Sequence, residues 1–362
     1  MKHKNNVRSV SIASTQMQLL NCIEAIFKYG YDNNDLIIWA YSKNRERQLL
    51  NLLEKLDCGR LFRKVTVYTR HNTGGFRTYI SILSEKSFFK RYDVSGYNVF
   101  ISGNYKLIQE KFFLRRVIRA NNNVSIIVVD DGLATRETSN LRVREVTTGK
   151  MVFDETSISY KLFYLSGYLF KWKAPDTIEY FTSYSKLTIS CSDTAVLNNN
   201  DFIKQNGISN KFSFENDSTI IFLGQPLVQL NILSAEVYSN YIETFIYKEL
   251  DGDYANLLYI PHPAENVDES LSLELKTKLN IQAVELPVEL FLLSIPQGVE
   301  KYIVGFYTSA LVNIQQLSIA NCRCRAVYIE EIESFSDLNM KRILKDAYNY
   351  IEESGIPIIH LK

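Results

Sequence analysis

The stretch Arg8-Ser9-Val10-Ser11-Ile12-Ala13-Ser14-Thr15-Gln16-Met17-Gln18-Leu19-Leu20 decides the fold. Arg8–Ser14 reads as a β-strand carrying β-branched residues. Gln16–Tyr29 then reads as an amphipathic helix, with Met17, Leu20, Ala25 and Ile26 among its apolar positions. A strand that runs directly into a helix opens an α/β layer structure. The glycine-rich G-x-G-x-x-G turn of dinucleotide-binding folds is missing, because Ser14-Thr15-Gln16 stands in its place. No G-x-x-x-x-G-K-[ST] phosphate loop occurs anywhere.

The alternation continues outward from that opening. Leu36–Tyr41 is a second strand and Asn44–Leu56 a second helix. Val65–Thr69, Asn98–Ser102 and Ser125–Val129 extend the strand series. Strands separated by helices predict a parallel sheet covered on both faces, with ligands at the strands' carboxyl ends. Arg142–Asn210 is less regular. It carries an aromatic and basic cluster: Phe163, Tyr164, Tyr168, Phe170, Lys171, Trp172, Lys173, then Tyr180 and Phe181. Alternation resumes at Thr219–Leu223. It continues with a helix near Ala235–Leu250, a strand at Leu257–Ile260, a helix near Glu269–Leu279 and a strand at Gln282–Leu286. Strands at Tyr302–Phe306 and Arg325–Ile329 follow, then a helix at Asp337–Glu353 and a short strand at Pro357–Leu361. The expected division is an N-terminal domain over 1–212, with the irregular insertion at about 142–210, and a C-terminal domain over 213–362. The polar stretch Asn210–Ser218 is the linker.

Composition bounds the function. The chain has 362 residues, 46% hydrophobic and 22% charged, with a formal net charge of +1. That suits two folded domains and lacks the basic surplus a nucleic-acid binder uses against phosphates. No segment approaches the ~18 apolar residues of a membrane span. Met1–Arg8 lacks the apolar core of a signal peptide, which points to the cytoplasm. The five cysteines are irregularly spaced, and Cys322-x-Cys324 matches neither a zinc nor a redox motif, so inert thiols are expected.

Four constellations can carry chemistry. In Val128-Val129-Asp130-Asp131-Gly132 two carboxylates end an apolar strand. They read either as a turn or as acid–base groups whose proximity raises one another's pKa. In Leu257-Leu258-Tyr259-Ile260-Pro261-His262-Pro263-Ala264-Glu265 a histidine is fixed between two prolines, as a structural side chain or a phosphate contact. In Val304-Gly305-Phe306-Tyr307-Thr308-Ser309 two hydroxyls stand where a helix begins, as a plain cap or a phosphate site. In Glu285-Leu286-Pro287-Val288-Glu289-Leu290 an acidic residue after a strand reads either as a solvated helix-start glutamate or as a ribose ligand. Asp251-Gly252-Asp253 has the look of a metal-binding D-x-D but the composition of a turn.

The order of these motifs resembles that of bacterial sialyltransferases, above all glycosyltransferase family 52 and its relatives, which include polysialyltransferases. Those share a D/E-D/E-G motif, then H-P, then S/T-S; here these are Asp130-Asp131-Gly132, His262-Pro263 and Thr308-Ser309. Ser14-Thr15-Gln16-Met17-Gln18-Leu19-Leu20, Leu223-Gly224-Gln225-Pro226 and Ser354-Gly355-Ile356-Pro357-Ile358-Ile359 extend the likeness over most of the chain. The resemblance implies an α/β fold of the GT-B kind, two Rossmann-like domains facing a central cleft. It implies an inverting, metal-independent transferase that moves sialic acid from CMP-sialic acid to a glycan acceptor such as lipooligosaccharide or capsular polysaccharide, with no cofactor. Asp131 is then the general base, with Asp130 the alternate. His262 contacts the CMP phosphate and helps the leaving group, Thr308 and Ser309 hold the same phosphate, Glu289 binds the ribose, and Pro263, Gly224 and Gln225 also belong to the CMP-binding set. Some family members place a carboxylate just after the G-x-P segment; here Pro226-Leu227-Val228 has none.

Other readings stay open. A phosphotransfer enzyme would use Asp130 as nucleophile but typically wants D-x-D-G-T. A non-catalytic CMP-sugar scaffold and a transferase of another nonulosonic acid fit the same motifs. The aromatic-basic cluster reads as an acceptor or peripheral inner-membrane contact, or as core or a homodimer contact. The basic run Arg115-Arg116-Val117-Ile118-Arg119 reads as a solvated helix face or a patch for anions.

Overall fold

The computed structural model describes residues 7–70, 84–85, 87–132, 134–150, 152, 174–184, 187–206, 218–253 and 257–361. The chain divides into two compact units, Met1–Gly207 and Ile208–Lys362. Each is built on one parallel sheet flanked by helices, the two-Rossmann-domain pattern of the GT-B class.

The first sheet contains β1 (Arg8–Ala13), β2 (Asn33–Ala40), β3 (Phe62–Thr69), β4 (Val99–Ser102), β5 (Ser125–Val129), β6 (Glu179–Thr182) and β7 (Thr194–Leu197). Their order is β3-β2-β1-β4-β5-β6-β7, every pair parallel. β1 is central and buried on both faces, so Ser9 and Ser11 are enclosed along with Val10 and Ile12. The order reverses between β1 and β4, a switch point of the kind beside which open α/β sheets bind ligands at their carboxyl edge.

Helix α1 (Gln16–Tyr29) starts where the Thr15 hydroxyl accepts from Gln18 N–H. It stops at Gly30, whose φ of 65° lets its N–H return to Ile26 O. Further helices of this unit include α2 (Lys43–Lys55), α3 (Ile108–Ala120), α4 (Ala134–Thr148) and α5 (Asp201–Asn206). Trp39 on β2 anchors the core, stacked between Tyr68 at 4.4 Å and Phe89 at 4.8 Å.

The second sheet contains β8 (Ser218–Leu223), β9 (Leu257–Ile260), β10 (Asn280–Ile281), β11 (Glu300–Gly305), β12 (Cys322–Val327) and β13 (Ile358–Ile359), in the parallel order β10-β9-β8-β11-β12-β13. Its switch point lies between β8 and β11. Its helices are α6 (Ala235–Glu249), α7 (Val267–Ser270), α8 (Leu273–Lys278), α9 (Val288–Ser294), α10 (Ser309–Leu317) and α11 (Leu338–Glu353). Among the described residues no helix is long and apolar enough to cross a membrane.

Three local expectations change. The helix expected at Glu269–Leu279 breaks into α7 and α8, because the Ser272 hydroxyl accepts from Leu275 N–H and so caps a new helix. The strand expected at Gln282–Leu286 lies earlier, at Asn280–Ile281. It is a two-residue edge beside the four-residue β9, and Pro287 ends the extended run by starting α9. The stretch 142–210 contains the second half of α4, strands β6 and β7, and α5. Two four-residue strands are too short to show a period.

Residues 163–173 of the aromatic-basic cluster, with His3, His71 and most of the linker, lie outside the described residues. Tyr180 and Phe181 are core on β6. Arg116 of the basic run donates to Tyr92 O. Asp251-Gly252-Asp253 is a turn, with Asp251 and Gly252 both at positive φ.

Two buried ion pairs hold α4 in place. The Arg142 guanidinium makes a bidentate contact to Asp193, both bonds 3.1 Å, and a third bond to Pro175 O. Lys111 pairs with Glu145, which also accepts from Tyr105 OH and Val152 N–H. Removing one partner of such a pair strands the other charge in low dielectric. Arg142→Ala is therefore expected to destabilise the first unit by about 3–5 kcal/mol, read as a lower urea midpoint for its unfolding transition.

Candidate functional site

At the carboxyl edge of the first sheet, β4 and β5 deliver the polar groups. β4 ends at Ser102, and Gly103 and Asn104 follow. A Cβ on Gly103 would lie 2.6 Å from Ile12 O and 2.9 Å from Gln18 Oε1, so β4 can turn against β1 only as glycine. Its N–H donates to Ile12 O at 3.0 Å. Gln18 reaches back across the same turn, its Oε1 accepting from Ser14 N–H and Ser14 Oγ.

Asp130 and Asp131 follow β5 but occupy different environments. Asp130 is 4% exposed. Its Oδ2 accepts from Ser183 N–H at 2.6 Å, while its carbonyl accepts from the Asn21 amide. Burial pushes its carboxyl up to about 6, against hydrogen bonds from Thr182, Ser183 and Thr135. Asp131 is half-buried at the edge. Its Oδ2 accepts from Asn104 Nδ2 at 2.9 Å, and its N–H donates to Thr135 Oγ1. Burial raises its pKa as well, while Gln18, Lys106 and Arg45 oppose that rise. Desolvation, not repulsion between the two neighbours, is the cause in both cases. Asp130 thus ties the β5 edge to the residue after β6, and Asp131 presents a carboxylate.

At the second switch point three adjacent strands contribute. Leu223, the last residue of β8, pairs with Ile260 of β9 on one side and Gly305 of β11 on the other. Gly224 follows β8 and donates to Ile260 O at 2.8 Å. A Cβ there would meet Glu265 Oε2 at 2.2 Å and Tyr259 OH at 2.5 Å. Under it runs a hydrogen-bonded chain. Gln225 N–H donates to Tyr238 OH, Tyr238 OH and Tyr259 OH are 2.9 Å apart, and Tyr259 OH donates to Glu265 Oε1 at 2.6 Å.

Glu265 Oε2 accepts from His262 N–H, and Ala264 N–H donates to His262 Nδ1 at 3.0 Å. An Nδ1 that accepts a backbone N–H puts the proton of the neutral ring on Nε2. His262 and Pro263 are exposed. Gln225 is 7% exposed, and its Oε1 has no hydrogen-bond partner among the described residues.

Thr308 caps α10, its hydroxyl accepting from Ala310 N–H at 3.2 Å, with Ser309 as the first helical residue. Glu289 is 4% exposed on α9 and accepts from Asn313 Nδ2 at 2.9 Å, one turn beyond Ser309 on α10. A solvated helix-start glutamate is thereby ruled out; burial raises its pKa. Gly224, Gln225, His262, Thr308 and Ser309 all issue from the carboxyl ends of neighbouring strands, and Asn313 links Glu289 to the same helix. Among the described residues no group of three or more His, Cys, Asp or Glu side chains is placed to hold a metal ion.

The model of the family Alpha-2,8-polysialyltransferase (POLYST) matches residues 12–320. The chain belongs to that family. It is a glycosyltransferase of a sialyltransferase family, working through CMP-sugar chemistry. Among solved structures it is similar to a sialyltransferase from Photobacterium damsela. That match is 11% identical with a TM-score of 0.42, and covers 98% of this chain and 81% of that one. It is also similar to a glycosyltransferase from Rickettsia africae, 8% identical with a TM-score of 0.42, covering 96% of this chain and 89% of that one. No curated protein matches.

Sequence reasoning missed Asn104, Gln18, Glu110, Arg45 and Lys106 around Asp131. Ser102-Gly103-Asn104, a glycine directly after an apolar strand, was the available signal for the first.

Three carboxyls of the first unit are raised by burial: Asp130 to about 6, Glu24 to about 7 and Glu110 to about 8. Unfolded, each titrates near ~4. The native state therefore holds more protons between these limits, so stability is fully present below about pH 4 and is lost as pH rises toward 8. The thermal midpoint of this unit is expected to be higher at pH 5 than at pH 8.5, by calorimetry.

Proposed function

We propose that the enzyme transfers sialic acid from CMP-sialic acid to a glycan hydroxyl with inversion and without a metal ion. In this reading Asp131 is the base. It takes the proton of the acceptor hydroxyl, whose oxygen bonds to the anomeric carbon as the bond to the CMP phosphate oxygen breaks. A carboxylate whose pKa is raised by burial is a stronger base than an exposed one, and here the Gln18 hydrogen bond and the Lys106 and Arg45 charges oppose the rise.

The second unit holds the nucleotide. The phosphate takes the Nε2–H of His262 and the N-terminus of α10 at Thr308 and Ser309, where the helix dipole and unpaired N–H groups offset the charge that develops on the leaving CMP. Glu289 serves the ribose hydroxyls, and Gln225 Oε1 is an acceptor for a donor on the nucleotide. CMP leaves with one phosphate, so a histidine and a helix terminus can balance it without a divalent ion. The observation that supports the reading most is the pairing of motif and geometry at the second switch point. There a histidine of fixed tautomer and a capped helix start leave adjacent strand ends.

The discriminating experiment is a thermal-shift panel with CMP, CDP, UDP and GDP, followed by transfer from CMP-sialic acid. Stabilisation by CMP, with activity that persists in EDTA, is expected; stabilisation by UDP instead would discard the donor. Asp131→Asn is expected to lose at least about a hundredfold in transfer rate while keeping CMP binding, whereas a non-catalytic scaffold would show no effect. His262→Ala is expected to weaken CMP binding and transfer together. Transfer of a different nonulosonic acid in a donor panel would keep the fold and the mechanism and change only the sugar.

A further inference from the structure

Glu110 lies inside the first unit, 2% exposed, in the first turn of α3. Its carboxyl accepts from Ser102 Oγ at 2.5 Å and from Asn104 N–H through both oxygens, at 3.1 and 3.2 Å. It therefore clamps both ends of the Ser102-Gly103-Asn104 turn. Asn104 in turn makes one side-chain bond among the described residues, from Nδ2 to Asp131 Oδ2 at 2.9 Å. Its Oδ1 is buried with no partner among the described residues. No second side-chain bond among the described residues fixes the amide plane, so its aim at Asp131 depends on where the Asn104 backbone is held. Gly103 cannot take a side chain to stiffen the turn from within, and Leu107, the N-cap of α3, gives no side-chain cap.

We infer that Glu110 is a positioning residue for the Asp131 carboxylate, acting through the Asn104 backbone and amide. The inference rests on the reading of Asp131 as the base. Burial pushes the Glu110 carboxyl up to about 8, so below that pH it is uncharged and works through hydrogen bonds. The ionisable groups that act on this pair are Lys106 and Arg45 near Asp131, and Cys22 of α1, whose thiol feels Glu110; Asp131 itself also raises the Glu110 pKa by like-charge repulsion, a smaller cause than burial. Gln18 and Thr135 supply the remaining polar neighbours of Asp131.

A helix-end carboxylate can also be merely structural, so the test reads Asp131 itself. In the full chain with 13C-carboxyl-labelled aspartate, and Asp131→Asn to assign the resonance, the Asp131 pKa is followed in four variants. Asn104→Ala removes a donor to the charged form and is expected to raise that pKa by about one unit. Glu110→Ala is expected to raise it in the same direction and by a similar amount, and the double variant no further, because both act on one bond. Glu110→Gln keeps an acceptor for Asn104 N–H and the shape of the protonated carboxyl, and is expected to hold the wild-type value. In transfer assays Asn104→Ala and Glu110→Ala are each expected to lower kcat about tenfold with donor KM unchanged, without summing in the double variant.

An unmoved Asp131 pKa in a folded Glu110→Ala protein, or additive shifts in the double variant, would overturn the inference. If the wild type turns over no CMP-sialic acid, the proposed reaction falls, and the titration still decides whether Glu110 positions Asp131.

Discussion

At one point on the carboxyl edge of each sheet a methyl group has no room, and both candidate site regions depend on it. In the first unit that point is Gly103, whose absent Cβ would touch the last turn of β1 and the Gln18 amide. In the second it is Gly224, whose Cβ would fall on the Glu265 carboxyl and the Tyr259 hydroxyl. Parallel strands deliver their carboxyl ends side by side, about 4.8 Å apart. Polar side chains from three neighbours can converge there only if one strand leaves without a side chain of its own. The glycines serve close approach here, not a left-handed turn. This explains how a two-Rossmann fold without the dinucleotide fingerprint can still gather polar side chains at each switch point.

Burial then sorts chemically identical side chains into different tasks. Asp130 and Asp131 are adjacent in sequence, yet one is fixed by Ser183 N–H and the other by the Asn104 amide at a half-open edge. A strand end alternates its side chains between two faces, so neighbouring carboxylates diverge. They do not form a shared-proton dyad, and the rise in each pKa belongs to desolvation. The consequence is one anchoring carboxylate and one presenting carboxylate within a single Asp-Asp-Gly motif.

Most of the fold was legible because central parallel strands are buried on both faces and read as continuous apolar runs. Ser125–Val129 and Leu257–Ile260 match residue for residue. Legibility failed where the signal is short or contested. β6 and β7 have four residues each, and the Ser272 cap breaks a helix whose apolar period runs on unbroken. For the sites, the motif residues could be named because carboxylate, imidazole and hydroxyl types announce chemistry. Their supports could not. Asn104 and Glu110 are common residue types, and their importance comes from six residues of separation folding back into one hydrogen-bonded turn. The Glu289 environment was equally hidden, since Asn313 meets it only through the packing of α9 on α10.

At each of these edges a buried or half-buried acid is hydrogen-bonded into the turn or helix that carries a motif residue. Glu110 holds the Asn104 turn, Glu265 holds the His262 turn, and Glu289 is held by Asn313 on the helix that Thr308 caps. If His262 and Thr308 meet a phosphate as proposed, ionised carboxylates at Glu265 and Glu289 would be poor neighbours for it, because like charges repel more strongly in a low dielectric. Burial works against that conflict. It raises the pKa of all three, Glu110 to about 8, which shifts each toward the neutral form. A bound phosphate would push the Glu265 and Glu289 equilibria further the same way, since a negative ligand favours the protonated acid. Anion binding and proton uptake would then reinforce one another at Glu265 and Glu289, while the bond from His262 N–H to Glu265 keeps the histidine turn in place.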